Sequence, residues 1–266
     1  MMRALLIGYG KMGKLLAHFA PEYNIAISAV IDPHIDPLNN SLSELCACHK
    51  TLCTEALEAC DVVFDFSSAK HVLNHIAAAA AAKKPIVVGT TGWQADESRA
   101  KELVLEHDAA LIASPNFALG VALFMQLVDT AGALFSHFRS FDVGLSETHH
   151  RQKADSPSGT AKEMAHKVLK HYRDKTLTTT PPATAPLAAN QIHMSSLRSG
   201  YHPGLHEVCF DSPEETITIT HTSRNRDGFA RGALAAAYWI MNKKGWYTLD
   251  DMIADKTHLN QGKPHA

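Results

Sequence analysis

The chain has 266 residues, 45% of them hydrophobic and 20% charged, which suits one large globular domain or two modest ones. Lys and Arg number 25 against 27 Asp and Glu, so there is no broad basic field to hold nucleic acid or an anionic membrane surface. No run approaches ~18 consecutive apolar residues, and the opening run meets glycines too soon to form a signal core; a cytoplasmic protein without a membrane span is expected.

Residues 3–7 form a short apolar run ending at Gly8. Residues 11–21 then carry apolar side chains at helical spacing (Met12, Leu15, Leu16, Phe19), and residues 26–31 form a second apolar run, rich in β-branched side chains, that closes on Asp32 and Pro33. The order is strand, glycine turn, helix, strand. Four cysteines follow close together (Cys46, Cys48, Cys53 and Cys60), with His49 among them. Their spacing lacks the paired C-x2-C arrangement that presents two thiolates to one ion, so no metal is expected. Reduced, partly buried thiols in a helical region fit better. Residues 61–66 read as a buried strand, and the alanine-rich stretch 71–82 as a helix. Residues 85–88 form a strand stopping at Gly89-Thr90-Thr91-Gly92, and residues 109–113 another stopping at Ser114-Pro115-Asn116-Phe117. Short strands alternating with helices predict an α/β fold with a Rossmann-type, doubly wound parallel sheet.

The pattern changes after about residue 117. Residues 121–135 are helical in period, whereas Phe141, Val143 and Leu145, then Val208 and Phe210, then Ile217 and Ile219 alternate with polar neighbours. Period-two alternation marks strands with one solvated face, here a second α+β domain. Threonines and prolines predict a loop over 172–190, and residues 229–241 are helical again. The expected organisation is a dinucleotide-binding domain over 1–117, an α+β domain over 118–228, and a helical segment over 229–266 that returns to the first domain.

Gly8-Tyr9-Gly10-Lys11-Met12-Gly13 has G-x-G-x-x-G spacing between a predicted strand and a predicted helix, the context that gives this motif meaning. Gly8 permits a tight turn, Gly10 lets the backbone approach a pyrophosphate, and Gly13 lets helix and strand pack closely. Asp32 ends the second strand, about where an acid that holds the adenosine ribose belongs. A structural glycine turn followed by a solvated Asp-Pro turn would show the same spacing. A carboxylate at Asp32 repels a 2′-phosphate and Pro33 offers no guanidinium, although Lys11 supplies a cation; the expected cofactor is NADH or NADPH, with a lean toward NADH. Gly89, Thr90, Thr91, Ser114, Pro115, Asn116 and Phe117 lie at predicted carboxyl ends of strands, where open α/β sheets bind ligands. Ordinary βα loops would occupy the same positions.

The segment from Glu147 through His149, His150, Lys153 and Asp155 to Ser158, Gly159 and Thr160 follows a strand and precedes a helix. Ser158 or Thr160 can cap that helix, and its N-terminus suits a carboxylate. The two histidines suit proton transfer near neutral pH, and Lys153 supplies a point charge or a proton. The segment reads as one that grips and protonates an anion; a polar loop capping a helix, with solvated His and Lys, fits the spacing equally well.

The run Glu147-x-His149-His150-x-x-Lys153-x-Asp155-x-Pro157-Ser158-Gly159-Thr160-Ala161 resembles the signature of the 4-hydroxy-tetrahydrodipicolinate (dihydrodipicolinate) reductase family. The likeness continues through the glycine motif, Phe64-Asp65-Phe66-Ser67, Gly89–Gly92, Pro115–Phe117, the stretch from Arg198 through Gly200, Gly204 and His206 to Phe210, and that from His221 through Arg226 to Ala233. The resemblance implies reduction of a cyclic dicarboxylate with NAD(P)H in diaminopimelate and lysine synthesis. It implies His149 as proton donor or acceptor, Lys153 as partner donor, and His150 with Gly159 and Thr160 around a substrate carboxylate. It further implies a homotetramer built through the second domain, and hinge closure. Two departures stand out: Ser156 where the family often has alanine, and Pro33 where some members have arginine. Another Rossmann dehydrogenase, acting on an aspartate-derived or sugar substrate, would explain the first domain but not the His-His-x-x-Lys segment. A non-catalytic dinucleotide sensor would predict damaged catalytic residues, and His149 and Lys153 are both present.

Overall fold

The computed structural model describes residues 1–36, 46–179 and 184–257. The chain divides into two units: Met1–Leu119 with Asp227–Ala266, and Gly120–Arg226.

The first unit holds β1 (Met2–Ile7), α1 (Lys11–Phe19), β2 (Ile25–Ile31), β3 (Ala47–His49), α2 (Thr54–Glu58), β4 (Val62–Asp65), α3 (Ala69–Ala81), β5 (Ile86–Val88), α4 (Glu97–Glu106) and β6 (Ala110–Ala113). Its strands pair in parallel, in the order β12-β6-β5-β4-β1-β2-β3 once β12 (below) is included. A parallel sheet is covered on both faces, which is why β4 and β5 are buried along their whole length and read as unbroken apolar runs. The chain leaves β1 toward β2 and β3, then crosses to β4 on the other side. This reversal opens a crevice at the carboxyl ends of β1 and β4, the place where such sheets bind ligands.

The second unit holds α5 (Leu119–Phe135, whose first residue belongs to the first unit), β7 (Asp142–His149), α6 (Gly159–Leu169), β8 (Thr176–Thr178), β9 (Gln191–Arg198), β10 (Leu205–Asp211) and β11 (Thr216–Thr222). Its mixed sheet has the order β11-β10-β7-β9-β8. Strand β10 is antiparallel to β7 and β11, while β9 runs parallel to β7 and β8. In β7 every second side chain is buried: Val143, Leu145, Glu147 and His149 share the inner face. The core face therefore ends in two polar residues.

The chain returns to the first unit with α7 (Asp227–Ile240), β12 (Gly245–Thr248) and α8 (Leu249–Thr257). Helix α7 begins at Asp227, two residues before the sequence pattern suggests; an aspartate in the first turn complements the helix dipole. Gly232 lets this helix press on the chain after β6, because a Cβ there would lie 1.7 Å from the Phe117 carbonyl oxygen.

The structure corrects two local expectations. The predicted loop 172–190 contains β8, whose three residues are held by parallel pairing with β9 against their polar composition; residues 180–183 of that loop lie outside the described residues. The cysteine region is not wholly helical: Cys48 lies on β3, which adds to the sheet edge beside β2. All five cysteines are free thiols. No helix among the described residues is long and apolar enough to cross a membrane.

Candidate active site

Gly8 has φ +94°, and a Cβ there would lie 2.3 Å from the Phe66 carbonyl oxygen. A Cβ at Gly13 would lie 2.1 Å from the Gly8 carbonyl oxygen. Gly8 is thus needed where the ends of β1 and β4 pack together, and Gly13 where α1 packs on the strand end. At Gly10 nothing lies within 4 Å of a built Cβ. Gly10 is also the N-cap of α1, and no side chain caps that helix start. Its first N–H groups and positive dipole end are thus left for a ligand, and an open approach of this kind fits the pyrophosphate of a dinucleotide. Lys11 is exposed, and Tyr9 and Met12 are half-buried. Asp32 is tied back to this loop: its carboxylate accepts from the Tyr9 N–H at 2.7 Å and the His34 N–H at 2.9 Å.

On the other side of the crevice, the ends of β4 and β5 and helix α3 are joined by a group to which the sequence alone gives no role. The fully buried Asp65 carboxylate accepts from the Thr90 hydroxyl at 2.7 Å, the Ser67 hydroxyl at 2.8 Å and the Ser67 N–H at 3.1 Å. His75 Nδ1, on α3, lies 2.6 Å from its second oxygen. The Thr90 side chain is therefore occupied within the loops, whereas Thr91 is exposed. Gly89 lets the Phe66 ring lie against its backbone, since a Cβ would come within 2.1 Å of that ring. The Phe66 ring centre is 6.2 Å from that of Phe117, whose side chain is buried. Ser114 and Asn116 fold the neighbouring turn, with the Asn116 side chain accepting from the Ala118 N–H at 2.8 Å; Pro115 is exposed.

The second cluster lies in the other unit. Ser158, not Thr160, caps α6: its hydroxyl accepts from the Ala161 N–H at 3.1 Å. Gly159 and Thr160 are the first two residues of that helix, and nothing lies within 4 Å of a Cβ built at Gly159. Glu147 is buried, with one oxygen accepting from the Ser158 N–H and from Arg198 Nη2, each at 2.9 Å. The other oxygen lies 2.9 Å from His149 Nδ1 and 3.9 Å from His206 Nε2. Burial alone would push the Glu147 carboxyl up, but the Ser158 and Arg198 hydrogen bonds outweigh it and hold it down at about 2. His149 is lowered by burial, with Glu147 opposing and Lys153, Arg198 and His150 adding to the fall. Burial, then the neighbouring His149, push His206 down to about 4.

Arg198 Nη2 also donates to the Asp155 carbonyl at 2.7 Å, pinning the loop after β7. Lys153 Nζ lies 2.7 Å from Asp155. The His150 N–H donates to the His202 carbonyl at 2.8 Å, so residues 199–204 back this loop. His149, His150, Lys153, Gly159 and Thr160 thus gather around one loop and one helix start. Glu147, Arg198 and His206 complete the cluster; the sequence showed them in motifs without showing that they touch. Glu147, His149 and His206 each place one potential ligand atom within 4.8 Å of the others, a spacing that a metal ion could also bridge.

One unit offers an uncapped glycine-rich helix start at a sheet crevice, and the other a buried cluster of Glu147, His149 and His206 beside a serine-capped helix start. Together they define a nicotinamide-dependent oxidoreductase with a Rossmann-type domain. Comparison with known proteins narrows this class. The family models for "Dihydrodipicolinate reductase, N-terminus" and "Dihydrodipicolinate reductase, C-terminus" match residues 2–117 and 120–253. The 4-hydroxy-tetrahydrodipicolinate reductase of Christiangramia forsetii is 32% identical over 254 residues, covering 96% of this chain and 98% of its own. That of Archaeoglobus fulgidus is 33% identical over 255 residues, covering 92% and 96%. A dipicolinate-bound dihydrodipicolinate reductase from Paenisporosarcina sp. TG-14 superposes with a TM-score of 0.77 at 25% identity, covering 95% of this chain and 99% of that one. The chain belongs to the dihydrodipicolinate reductase family.

Proposed function

We propose that this chain reduces a cyclic, conjugated imine dicarboxylate of the dihydrodipicolinate type to the tetrahydro product, a step of diaminopimelate and lysine synthesis. The observation that carries the proposal is the pocket of Glu147, His149 and His206 beside the Ser158-capped start of α6, in a chain that matches the family across both units. Bound NAD(P)H supplies the hydride.

Gly8, Tyr9, Gly10, Lys11, Met12 and Gly13 hold the pyrophosphate and Asp32 the ribose. Gly89, Thr90, Thr91, Ser114, Pro115, Asn116 and Phe117 frame the nicotinamide. Thr90 and Phe117 act there through the main chain, because the Thr90 hydroxyl is taken by Asp65 and the Phe117 ring is buried. His150, Gly159 and Thr160 hold a substrate carboxylate. Hydride addition to the conjugated C=C–C=N unit leaves an electron pair on a ring carbon. That pair takes a proton from His149, and Lys153 offsets the charge. The dipicolinate seen in the Paenisporosarcina enzyme supports a dicarboxylate here. Incubating the protein with NADH and freshly generated substrate tests the proposal. Rapid NADH oxidation is expected; none, with folded protein, would refute it.

A lean toward NADH follows from the Asp32 carboxylate on the glycine loop, which repels a 2′-phosphate. The kcat/KM ratio of the two cofactors checks it, and a strong NADPH preference would contradict it. A homotetramer formed through the second unit in the cytoplasm completes the reading. Exposed Leu123, Leu127, Leu134, Leu197 and Ile217 support it, because apolar side chains grouped on one unit suit a protein interface. Sedimentation velocity should show a tetramer that dissociates when Leu127 and Leu197 become lysine.

A further inference from the structure

We infer that Glu147 is a positioning residue that holds the Nδ1 side of the His149 ring and so makes Nε2 the nitrogen that exchanges a proton with substrate. This rests on the proposed reductase chemistry of the same pocket. The period of β7 puts residues 147 and 149 on one buried face, two positions apart. One oxygen of Glu147 is locked by Ser158 and Arg198, so its other oxygen has a fixed direction. That oxygen stands 2.9 Å from His149 Nδ1. The two atoms stand within ion-pair reach but out of hydrogen-bond alignment, and neither has a hydrogen-bond partner elsewhere among the described residues. Nothing else therefore competes for Nδ1–H, and burial makes an unpaired group costly there.

Two further residues define the ring's surroundings. His206, from β10, sits edge-on to His149 with ring centres 5.1 Å apart, and its Nε2 lies 3.3 Å from the Ser158 hydroxyl. It packs one side of the ring while staying neutral. Beside both rings is Gly204, with φ +155° and no side chain; a Cβ there would lie 3.1 Å from His149 Nε2 and 3.6 Å from His206 Cε1. Glycine keeps that nitrogen's approach clear. The groups that influence His149 are Glu147 on its own strand, Arg198 on β9, His206 on β10, and His150 and Lys153 in the following loop.

The Nε2–H bond of the imidazolium breaks and its electron pair stays on Nε2. The proton forms a C–H bond with the substrate's carbanion pair. Nδ1–H faces Glu147 throughout, and Glu147 stays ionised. Water then reprotonates Nε2. Fixing the tautomer through a carboxylate is the same logic by which the acid of a Ser-His-Asp triad serves its histidine.

Glu147→Gln tests the inference in the full-length protein. The expected result is a kcat about 30-fold lower, a fraction of the ~10²–10⁴ that a positioned acid supplies, with an unchanged KM for NADH. The alkaline limb of kcat/KM should also move to lower pH, because the variant loses the negative charge that favours the imidazolium. A wild-type pH profile in this variant would overturn the inference. Should the variant fail to fold, nitrogen-15 spectra of wild-type protein labelled at histidine decide instead, with the His149 signals assigned by their loss in His149→Ala. A neutral Nδ1–H tautomer is expected, and an Nε2–H tautomer would refute the inference. Loss of wild-type activity on thorough chelation would also overturn it, by placing a metal between the three side chains. If wild-type protein oxidises no NADH with substrate, the reductase reading falls, while the tautomer still reports on Glu147.

Discussion

Burial draws His149 below the ordinary histidine pKa, and Glu147 draws it back. A proton donor must be protonated, so kcat/KM should fall as pH rises through a value below 6.5, the histidine reference. A bound dicarboxylate adds negative charge, which favours the imidazolium and should move the corresponding limb of kcat to higher pH. Comparing the two profiles checks this. Replacing His149 with alanine should lower kcat by ~10²–10⁴ and leave the NADH Kd, measured by fluorescence, unchanged. At this scale the sequence showed the chemistry in residue types: two histidines and a lysine before a capped helix. It did not show Glu147 as their partner. Glu147 and Arg198 are far apart in the chain and meet only because β7 and β9 are neighbours.

Two strand ends and a helix depend on one another through Asp65. Its carboxylate ties the loop after β4 to the loop after β5 and to α3. Thr90→Val keeps the side-chain shape but removes the hydroxyl that donates to Asp65 and accepts from the Ser67 N–H. A lost hydrogen bond to a buried charge costs about 1.5–3 kcal/mol. The expected result is a lower melting temperature and a several-fold weaker NADH Kd, while the substrate KM at saturating NADH stays the same. Gly232→Ala acts on a different element. Its Cβ would meet the Phe117 carbonyl oxygen at 1.7 Å, so α7 must shift, at a cost of about 1–3 kcal/mol in a thermal melt. The glycine motif was legible at this scale because strand, turn and helix adjoin in sequence. Asp65 was not, because its donors come from three separate elements.

For the whole molecule, acid should be destabilising in two stages. His206 falls from 6.5 to about 4 in the folded state. Below 6.5 the unfolded chain takes up a proton that the folded site refuses, so stability present at neutral pH is lost as pH falls toward 4, on the order of 3 kcal/mol. Glu147 falls from 4.5 to about 2, and its contribution disappears below 4.5. Urea melts between pH 7 and 4 check the first stage: His206→Gln should flatten that slope, and an unchanged slope would contradict the assignment. The folding frame itself was largely readable. The apolar runs of β1, β2, β4, β5 and β6 belong to a sheet buried on both faces, whereas β7, β10 and β11 alternate. Strand β9 leaves no clear alternation in the sequence, because only Ile192 and Met194 of its eight residues are fully buried.

Local order in the chain was enough to determine a parallel dinucleotide-binding sheet, a second sheet of different character, the glycine cradle and the His-His-x-x-Lys loop, because each is written in contiguous residues with a fixed period or spacing. Only the tertiary structure decided that Asp65 joins the loops after β4 and β5 to α3, and that Glu147, Arg198 and His206 surround His149. Those contacts arise from strand order and register across the sheets, and no local pattern encodes which distant strands become neighbours.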